Sequence, residues 1–425
     1  MKLLPPLTTY PVIGTMLFSL LLTGCGGGSG SNTVIDDGNG ATVSVYGECG
    51  SGAVVELPCG FPQPREEIEN PLTAEKIELG RFLFYDRNMS FNKTQSCGDC
   101  HQQDKGFTDG LTVSQGSEGH IHARNAMSMT NVIYNGTQNW SNNAILNLSR
   151  QALAVITNEE PIELGWTGRE DQMLARLVAP AIADYAATPP DYPALFAAAF
   201  PDEIDPITIG TFTRAIGAFG STFISGDSAF DKNNRNQTNT MTDAAKRGNI
   251  LFFSERLECF HCHNGFNFSD STDHSGNQFT HNTFHNNGLY NIDGDNDGTG
   301  DGLYPVDNHG LRVFTLKTED EGKFRAPTMR NIAMTAPYMH DGSIATLEEV
   351  IDHYARGGRL ISVGPNAGDG ALSPFRSSFV KGFILTPDER LDLVAFLESL
   401  TDWDFLCRDE LSDPFGVIPK HNLCP

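Results

Sequence analysis

The sequence has little positive charge. Its 425 residues include 29 lysines and arginines against 53 aspartates and glutamates, which gives a formal net charge of -24. A chain of this charge repels phosphate backbones and anionic lipid headgroups, so nucleic acid is excluded as a partner. Such a surface favours partner proteins that are soluble and basic or neutral.

Long apolar stretches are also missing. The most apolar stretch, Val12–Leu22, follows the single positive charge of Lys2 and is too short to span a bilayer. This arrangement is typical of a secretory signal peptide, which we place at residues 1–24. No membrane-spanning helix is expected elsewhere in the chain.

The signal peptide ends in Leu22-Thr23-Gly24-Cys25, which resembles a bacterial lipoprotein cleavage box. Cys25 would then be the lipidated first residue of the mature chain, and the segment 25–45, rich in Gly, Ser and Asn, would be a flexible tether. The alternative is an ordinary signal peptide followed by a chance cysteine. We expect a periplasmic protein on the outer membrane, in contact with the membrane only through a lipid anchor.

The nine cysteines divide into three groups. One is Cys25, four belong to two Cys-x-x-Cys-His motifs, and four remain: Cys49, Cys59, Cys407 and Cys424. In an exported protein the last group predicts two disulfides, with three connectivities open. Proximity in sequence favours Cys49 with Cys59 and Cys407 with Cys424, whereas the other pairings would join an N-terminal arm to the C-terminal tail.

Two pentapeptides decide the class of cofactor: Cys97-Gly-Asp-Cys100-His101 and Cys259-Phe-His-Cys262-His263. Two thiols at this spacing can add to the two vinyl groups of one porphyrin, and the next residue places an imidazole under the iron. Zinc sites and redox Cys-x-x-Cys motifs do not require the trailing histidine. We therefore expect two covalently bound c-type haems, with His101 and His263 as iron ligands.

The surroundings of the two motifs repeat. Leu79–Phe84 and Arg247–Phe252 are similar short helical patterns that lead into a haem loop. We expect a mainly α fold of two tandem cytochrome c-type domains, each with one haem, and long loops. The parts of the chain are then a signal peptide (1–24), a tether (25–45), an arm (46–70), a first domain (71–240), a second domain (241–406) and a tail (407–425).

The remaining axial ligands decide the function. An electron carrier needs both irons saturated by strong ligands, whereas an enzyme that activates peroxide needs one iron with an open side. For the first haem, four residues could supply a second ligand: His120, His122, Met127 and Met129. The spacing does not select among them.

A predicted helix bears on the second haem. Thr346 and Glu349 form a capping box, and Gly357-Gly358 end the helix. One apolar face collects four residues: Leu347, Val350, Ile351 and Tyr354. Tyr354 therefore points inward, whereas His353 lies on the flank and is the weaker ligand candidate.

Several further stretches complete a specific pattern: Leu79-Gly80-Arg81-Phe82-Leu83-Phe84-Tyr85-Asp86, Gly106-Phe107-Thr108-Asp109-Gly110, Arg124-Asn125-Ala126, Phe324-Arg325-Ala326-Pro327-Thr328-Met329-Arg330-Asn331 and Thr335-Ala336-Pro337-Tyr338-Met339-His340-Asp341-Gly342. From about Asn70 to Leu406 the chain resembles the bacterial dihaem cytochrome c peroxidase and MauG superfamily. Within that superfamily it is most similar to the MbnH-like enzymes.

The resemblance implies a role for Tyr354. In the peroxidases of the family a Met binds the second haem at the position that is Tyr354 here, counted from His340. A tyrosine at this place resembles MauG and MbnH. An anionic oxygen ligand stabilises oxidised iron, so the second haem would have a low potential and could store an oxidising equivalent.

Three catalytic residues are implied by the same resemblance. Trp140 matches a Trp between the haems, although the following residues depart from the family pattern. Gln151 and Glu163 match a Gln and a Glu that steer peroxide above the first haem, where a carboxylate can move the peroxide proton. Insertions before Glu163 leave Glu159 and Glu160 as alternatives.

The resemblance also implies one calcium ion between the domains. The family binds it through an Asn side chain and two backbone carbonyls, and the matching residues are Asn131, Thr335 and Pro337; such oxygen ligands suit calcium. The run Asp293–Asp301 imitates the start of an EF-hand loop, but Tyr304 stands where the bidentate Glu should be. We interpret this run as a flexible acidic loop.

The function implied is that of an oxidoreductase that uses hydrogen peroxide to form a high-valent state shared by two haems, of the bis-Fe(IV) type. This state would oxidise a residue of a partner protein, with Trp, converted to kynurenine, as the favoured target. The partner would be a protein too large for a haem pocket, such as a small exported copper-binding protein. MauG has a Trp two residues before its second motif for electron transfer; Leu257 stands there in this chain, which leaves Tyr290, Tyr304 and Trp403 as exit candidates.

Two alternatives remain open at this stage. A conventional dihaem cytochrome c peroxidase would reduce hydrogen peroxide with electrons from a small cytochrome or copper protein. A non-enzymatic dihaem electron-transfer cytochrome would have two six-coordinate irons and no reaction with peroxide.

Overall fold

Short helices arranged around two apolar cores dominate the computed structural model of this chain. The structure describes residues 34–36, 42–44, 46–65, 67–158, 162–179, 190–236, 240–277, 283–295 and 297–424. The predicted signal peptide and Cys25 lie outside these ranges. Among the described residues, no helix has the length and apolar character needed to cross a membrane.

The fold is mainly helical, as predicted. Twelve helices are described: α1 Ala74–Tyr85, α2 Cys97–Cys100, α3 Leu148–Thr157, α4 Glu170–Val178, α5 Tyr192–Ala199, α6 Ile209–Gly220, α7 Ala229–Asn234, α8 Asp243–Phe252, α9 Arg312–Thr315, α10 Leu347–Arg356, α11 Pro387–Glu398 and α12 Trp403–Cys407. Single 3-10 turns, among them Cys259–His261, connect several of them.

The strands are short and form three separate pairs. They are β1 Val34–Asp36, β2 Thr42–Ser44, β3 Tyr46–Gly47, β4 Val55–Glu56, β5 Leu360–Ile361 and β6 Gly368–Asp369. The pairs β1–β2 and β5–β6 are antiparallel, and β3–β4 is parallel. The first pair lies in the segment predicted as a flexible tether, so part of that segment has regular structure.

Two disulfides fix the ends of the described chain. Cys49 is bonded to Cys59 in the N-terminal arm, and Cys407 is bonded to Cys424 in the C-terminal tail. These are the two pairs that proximity in sequence favours. Each disulfide therefore closes a local loop, and neither joins the arm to the tail.

The internal repeat is visible as two matching helix pairs. Helix α1 packs on α6, and α8 packs on α11. A Cβ on Gly80 would lie 2.0 Å from the Ala215 carbonyl oxygen, and one on Gly248 would lie 1.9 Å from that of Asp392. The absence of a side chain at Gly80 and Gly248 thus allows the same close helix contact in both halves.

Besides a smaller cluster around Tyr134, two large apolar clusters collect most of their residues on either side of the predicted division near residue 240. The larger cluster collects buried residues from 79 to 223, and the second collects residues from 241 to 400. Helix α12 follows the second half in sequence but packs in the first cluster, where its residues Phe405 and Leu406 are fully buried. Residues 32–425 form one compact unit by their contacts, and the division into two tandem domains stays a prediction.

The close contacts at Gly80 and Gly248 predict that alanine at either position destabilises the protein. Gly80→Ala and Gly248→Ala should each lower the free energy of unfolding by about 1–3 kcal/mol, because the added methyl overlaps a backbone carbonyl of the facing helix. Gly210→Ala is the matched control in α6, where the nearest atom to a Cβ is 3.7 Å away. Chemical unfolding followed by far-UV circular dichroism measures the difference. Equal stability of the Gly80→Ala and Gly210→Ala proteins would contradict the close contact.

Candidate haem sites

The first motif begins with a short capped helix. The Ser96 backbone N–H donates to the Asp99 carboxylate at 2.8 Å, and Arg87 forks onto the same carboxylate. After α2, the Nδ1–H of His101 donates to the Phe107 carbonyl at 2.9 Å. Phe107 holds a positive φ of 60°, which turns its carbonyl back towards the histidine. The ring orientation is thus fixed, with Nε2 left to bind a metal.

The second motif repeats this arrangement. Cys259–His261 form a 3-10 turn, and the Nδ1–H of His263 donates to the Phe268 carbonyl at 3.1 Å. Phe268 also has a positive φ, of 48°. The same hydrogen bond therefore orients the second histidine, His263, and leaves its Nε2 free to bind a metal.

The four motif cysteines are half-buried and outside the disulfides. Burial raises the pKa of the Cys97 and Cys259 thiols to about 12, with the charge of Glu163 as a further cause at Cys97. Zinc binding and disulfide exchange use the thiolate, and a raised pKa disfavours it. The environment is therefore better suited to thioether links than to either alternative.

Buried polar atoms without partners test whether a haem fits. Among the described residues these include Gln151 Oε1, Arg325 Nε, and Nε and Nη1 of Arg376. A buried guanidinium nitrogen without a hydrogen-bond partner is unfavourable unless a ligand supplies an acceptor. Haem carries two propionates, so these nitrogens of Arg325 and Arg376 fit a carboxylate-bearing cofactor. Burial lowers the pKa of Arg325 to about 10, although the charge of Asp270 opposes this shift.

Tyr354 lies beside the second motif. Burial, with smaller effects from Cys262 and Cys259, raises the pKa of its phenol to about 12, and the Asn287 side chain hydrogen-bonds to it. The predicted capping box of α10 is present, and Gly357 ends the helix in the left-handed region. The phenol thus lies on the side of α10 that faces the second motif, and its role as an iron ligand stays a prediction.

His353 is more deeply buried than the helix pattern indicates. It is 6% exposed, because Asn287 covers this flank and its carbonyl oxygen lies 3.1 Å from His353 Nε2. The ring is engaged by this backbone contact. The flank on which His353 lies is therefore buried, and Tyr354 stays the predicted ligand.

Glu163 lies beside the first motif. Its charge raises the pKa of both Cys97 and Cys100, and burial raises its own pKa to about 7. The Ser117 backbone N–H donates to the Glu163 carbonyl at 2.8 Å, which holds the segment in place. The alternatives Glu159 and Glu160 lie outside the described residues.

A polar cavity reaches the first motif from solvent. It has a volume of about 490 Å³ and is lined by Cys100, Gln95 and Asp109, among others. Gln95 Nε2 lies 3.0 Å from the Cys100 sulfur, and Asp109 raises the pKa of that thiol. A small polar substrate could thus approach this motif.

Trp140 connects segments from the two predicted domains. Its Nε1–H donates to the Asn125 carbonyl at 2.9 Å, and its own carbonyl accepts from the Arg325 N–H at 2.8 Å. These contacts place the indole where the two halves of the chain meet. This position is compatible with the predicted role between the haems.

Asn131, a predicted calcium ligand, uses its side chain in three hydrogen bonds. The side-chain oxygen accepts from the Ser225 N–H at 2.7 Å, and the side-chain N–H groups donate to the Ser225 carbonyl and to Asn267. Calcium at Asn131, Thr335 and Pro337 stays a prediction.

The four candidates for the other side of the first haem differ in exposure. His120 is exposed, while His122 is half-buried, and burial lowers its pKa. Met129 packs against the first core. Asp109 influences the pKa of both His122 and Cys100, and the Met127 backbone influences that of His101, so His122 and Met127 both lie near the motif.

Some residues of the site carry no signal in the sequence. Gln95 stands two residues before Cys97 and places its Nε2 3.0 Å from the Cys100 sulfur. Asn287 lies far from the second motif in sequence and approaches it through its contacts with Tyr354 and His353.

Comparison with known proteins agrees with this geometry. A family model described as di-haem cytochrome c peroxidase matches residues 74–239. The methylamine utilization protein MauG of Methylorubrum extorquens is 31% identical over 343 residues, which cover 81% of this chain and 82% of that protein. Cytochrome-c peroxidase IdrP1 of Denitromonas iodatirespirans is 31% identical over 388 residues, or 89% of this chain and 96% of that protein.

A solved structure is also similar. It is the crystal structure of a MauG-like protein associated with microbial copper homeostasis, with 44% sequence identity and a TM-score of 0.79. The match covers 84% of this chain and 98% of that chain. The similarity thus extends over both halves of the described fold.

We expect that replacing the Tyr354 phenol changes the absorption spectrum of the protein. Tyr354→Phe should alter the absorption of one of two haems, because it removes an oxygen ligand while the thioether links keep the cofactor bound. Tyr338→Phe is the matched control, since that phenol donates to the Ile332 carbonyl in the same core. Visible absorption and low-temperature EPR spectra of the diferric proteins measure the effect. An unchanged spectrum in Tyr354→Phe would exclude this residue as a ligand.

Proposed function

The chain belongs to the di-haem cytochrome c peroxidase and MauG family, and on that premise we propose that it oxidises a tryptophan residue of a partner protein. Membership makes it a haem-dependent oxidoreductase that uses peroxide. The finer proposal is that the partner is exported and that the product is kynurenine. The observation that carries it is the tyrosine at position 354, where the peroxidases of the family have a methionine.

A tyrosine ligand would change what the second site can do. A phenolate oxygen stabilises the oxidised form of iron, whereas a Met thioether favours the reduced form. A second site with Tyr354 is therefore suited to keeping an oxidising equivalent rather than to receiving electrons from a small donor protein. This property suits the oxidation of a partner better than simple peroxide removal.

The two haems, held by the motif cysteines with His101 and His263 as iron ligands, supply the redox chemistry with peroxide. The residues of this chain supply the proton steps. The Glu163 carboxylate takes the proton from the inner peroxide oxygen and returns it to the outer oxygen, which favours cleavage of the O–O bond. Gln151 presents a buried amide for the same small substrate.

Electron transfer explains how a large partner could be oxidised. A protein-borne tryptophan cannot enter the interior, so the oxidising equivalent must leave through the chain. Trp140 lies at the junction of the two halves and would carry it between the haems. The net charge of -24 favours a basic or neutral partner surface.

A copper-binding partner and a lipid anchor complete the proposal. The solved relative is described as associated with microbial copper homeostasis, which supports a small exported copper-binding protein as substrate. Lipidation at Cys25 would hold the enzyme at the periplasmic side of the outer membrane. A partner in the same compartment could then reach it.

One observation favours a second candidate function. Cytochrome-c peroxidase IdrP1 is as similar in identity as MauG and covers more of the chain. A conventional peroxidase would take electrons from a small cytochrome or copper protein. Such an enzyme would need prior reduction of one haem before it reacts with peroxide.

Peroxide added to the diferric protein separates these functions. We expect one equivalent of hydrogen peroxide, without prior reduction, to give a long-lived species with a near-infrared band shared by both haems. Mass spectrometry of a co-incubated exported copper-binding protein should then show conversion of tryptophan to kynurenine. Reaction only after half-reduction would instead identify a conventional peroxidase, and no reaction in either state would identify an electron carrier.

Glu163 predicts the pH dependence of the peroxide reaction. Burial raises its carboxyl pKa to about 7, and only the carboxylate can accept a proton, so the rate should fall as the pH falls through 7. Glu163→Gln should slow the reaction about 100-fold or more and remove this dependence. The exposed Glu118, which pairs with Arg169, supplies the control Glu118→Gln. Stopped-flow rates that keep the wild-type pH profile in Glu163→Gln would remove Glu163 from the mechanism.

A further inference from the structure

A tyrosine and a carboxylate form a buried pair in the second core. The Tyr290 hydroxyl donates a hydrogen bond of 2.6 Å to Asp341 Oδ2. The two residues are 7% and 8% exposed. Burial, followed by the charge of Asp341, raises the pKa of Tyr290, so the phenol keeps its proton while the carboxylate stands ready to accept it.

Aromatic rings connect this pair to the cofactor sites. Ring centroids are 5.4 Å apart for Tyr290 and Tyr304, 6.1 Å for Tyr304 and His340, and 3.7 Å for His340 and Phe324. Phe324 exchanges two backbone hydrogen bonds with His285, which lies beside Cys262. The next residue after Phe324 is Arg325, whose N–H binds Trp140.

The two neighbouring tyrosines differ in the group that faces the hydroxyl. A phenol that loses an electron becomes strongly acidic, and it must pass its proton to a base within hydrogen-bond reach. Tyr290 has a carboxylate as its acceptor. Tyr304 donates to the side-chain amide oxygen of Asn286 at 3.0 Å, which cannot take a proton at neutral pH. Only Tyr290 is therefore equipped for oxidation in this cluster.

Other described phenols lack this combination. Four donate to backbone carbonyls, which are equally poor bases: Tyr46, Tyr85, Tyr134 and Tyr338. Tyr192 donates to the Asp86 carboxylate at 2.7 Å, but it lies in the first core, outside the ring cluster around Phe324. Trp403 is exposed and stands against His421 beside the first core, so it is also outside this cluster.

We propose that Tyr290 is a redox relay that passes oxidising equivalents from the peroxide-treated enzyme towards the partner, with Asp341 holding the proton. Tyr290 gives one electron to the oxidised enzyme, its O–H bond breaks, and the proton moves to Asp341 Oδ2. An electron from the partner then regenerates the phenol as the proton returns. This inference rests on the proposed function.

The surroundings of the pair suit a relay near the surface. Ser343 and Arg359 flank Tyr290 and are only partly buried. Arg359 donates to the Ser343 hydroxyl at 2.8 Å, so two partly exposed side chains that interact with each other lie beside the pair. A docked protein could thus exchange an electron with Tyr290 without entering the core.

Freeze-quench EPR spectroscopy of the diferric holoenzyme after one equivalent of peroxide tests the relay. We expect a tyrosyl radical in the wild type, loss of that signal in Tyr290→Phe, and retention of it in Tyr304→Phe and Tyr192→Phe. Asp341→Asn should also lose the signal, because the phenol remains but its base is gone. Retention of the radical in Tyr290→Phe, or its loss in Tyr192→Phe, would overturn the proposal.

Optical spectra of the same samples separate the relay from the proposed function. Tyr290→Phe should keep the near-infrared species, since Tyr290 does not touch peroxide. A wild type that forms this species without a tyrosyl radical would overturn the relay alone. A wild type that fails to form the species would overturn the proposed function and the relay with it.

Discussion

Both cofactor sites depend on one hydrogen bond, from the Nδ1–H of a motif histidine to a backbone carbonyl. His101 and His263 use carbonyls of Phe107 and Phe268, and both phenylalanines hold a positive φ. This bond fixes the plane of each imidazole and makes its Nε2 the better electron donor. The direction in which Nε2 of each histidine points sets where the iron would lie, and the roles proposed for the other functional side chains depend on that position.

The interior around these histidines is unusual in its charges. Glu163 is a buried carboxyl whose pKa is raised to about 7, and Arg325 is a buried guanidinium whose pKa is lowered to about 10. Such groups are unfavourable in an apolar core unless a ligand completes them. A cofactor with two carboxylates and a reactive centre would balance them, so the same residues that destabilise the bare chain would prepare it for chemistry.

The two halves show how one fold can hold two different sites. Gly80 and Gly248 allow the same close helix contact, and in each half a haem motif follows the glycine-bearing helix. The differences lie in the loops: Glu163 approaches the first motif, whereas Asn287 and Tyr354 approach the second. A shared scaffold with unequal loops is the physical basis for the proposal that one haem reacts with peroxide and the other stores an oxidising equivalent.

The sequence by itself determined the cofactor class, the helical fold and the repeat, because thiol spacing, capping residues and apolar periodicity are local properties. It also located Tyr354 on a helix face. Only the tertiary structure decided the burial of His353, the engagement of Asn131 with Ser225, and the pairing of Tyr290 with Asp341. These depend on loops distant in sequence that meet after folding, and no local pattern encodes such meetings.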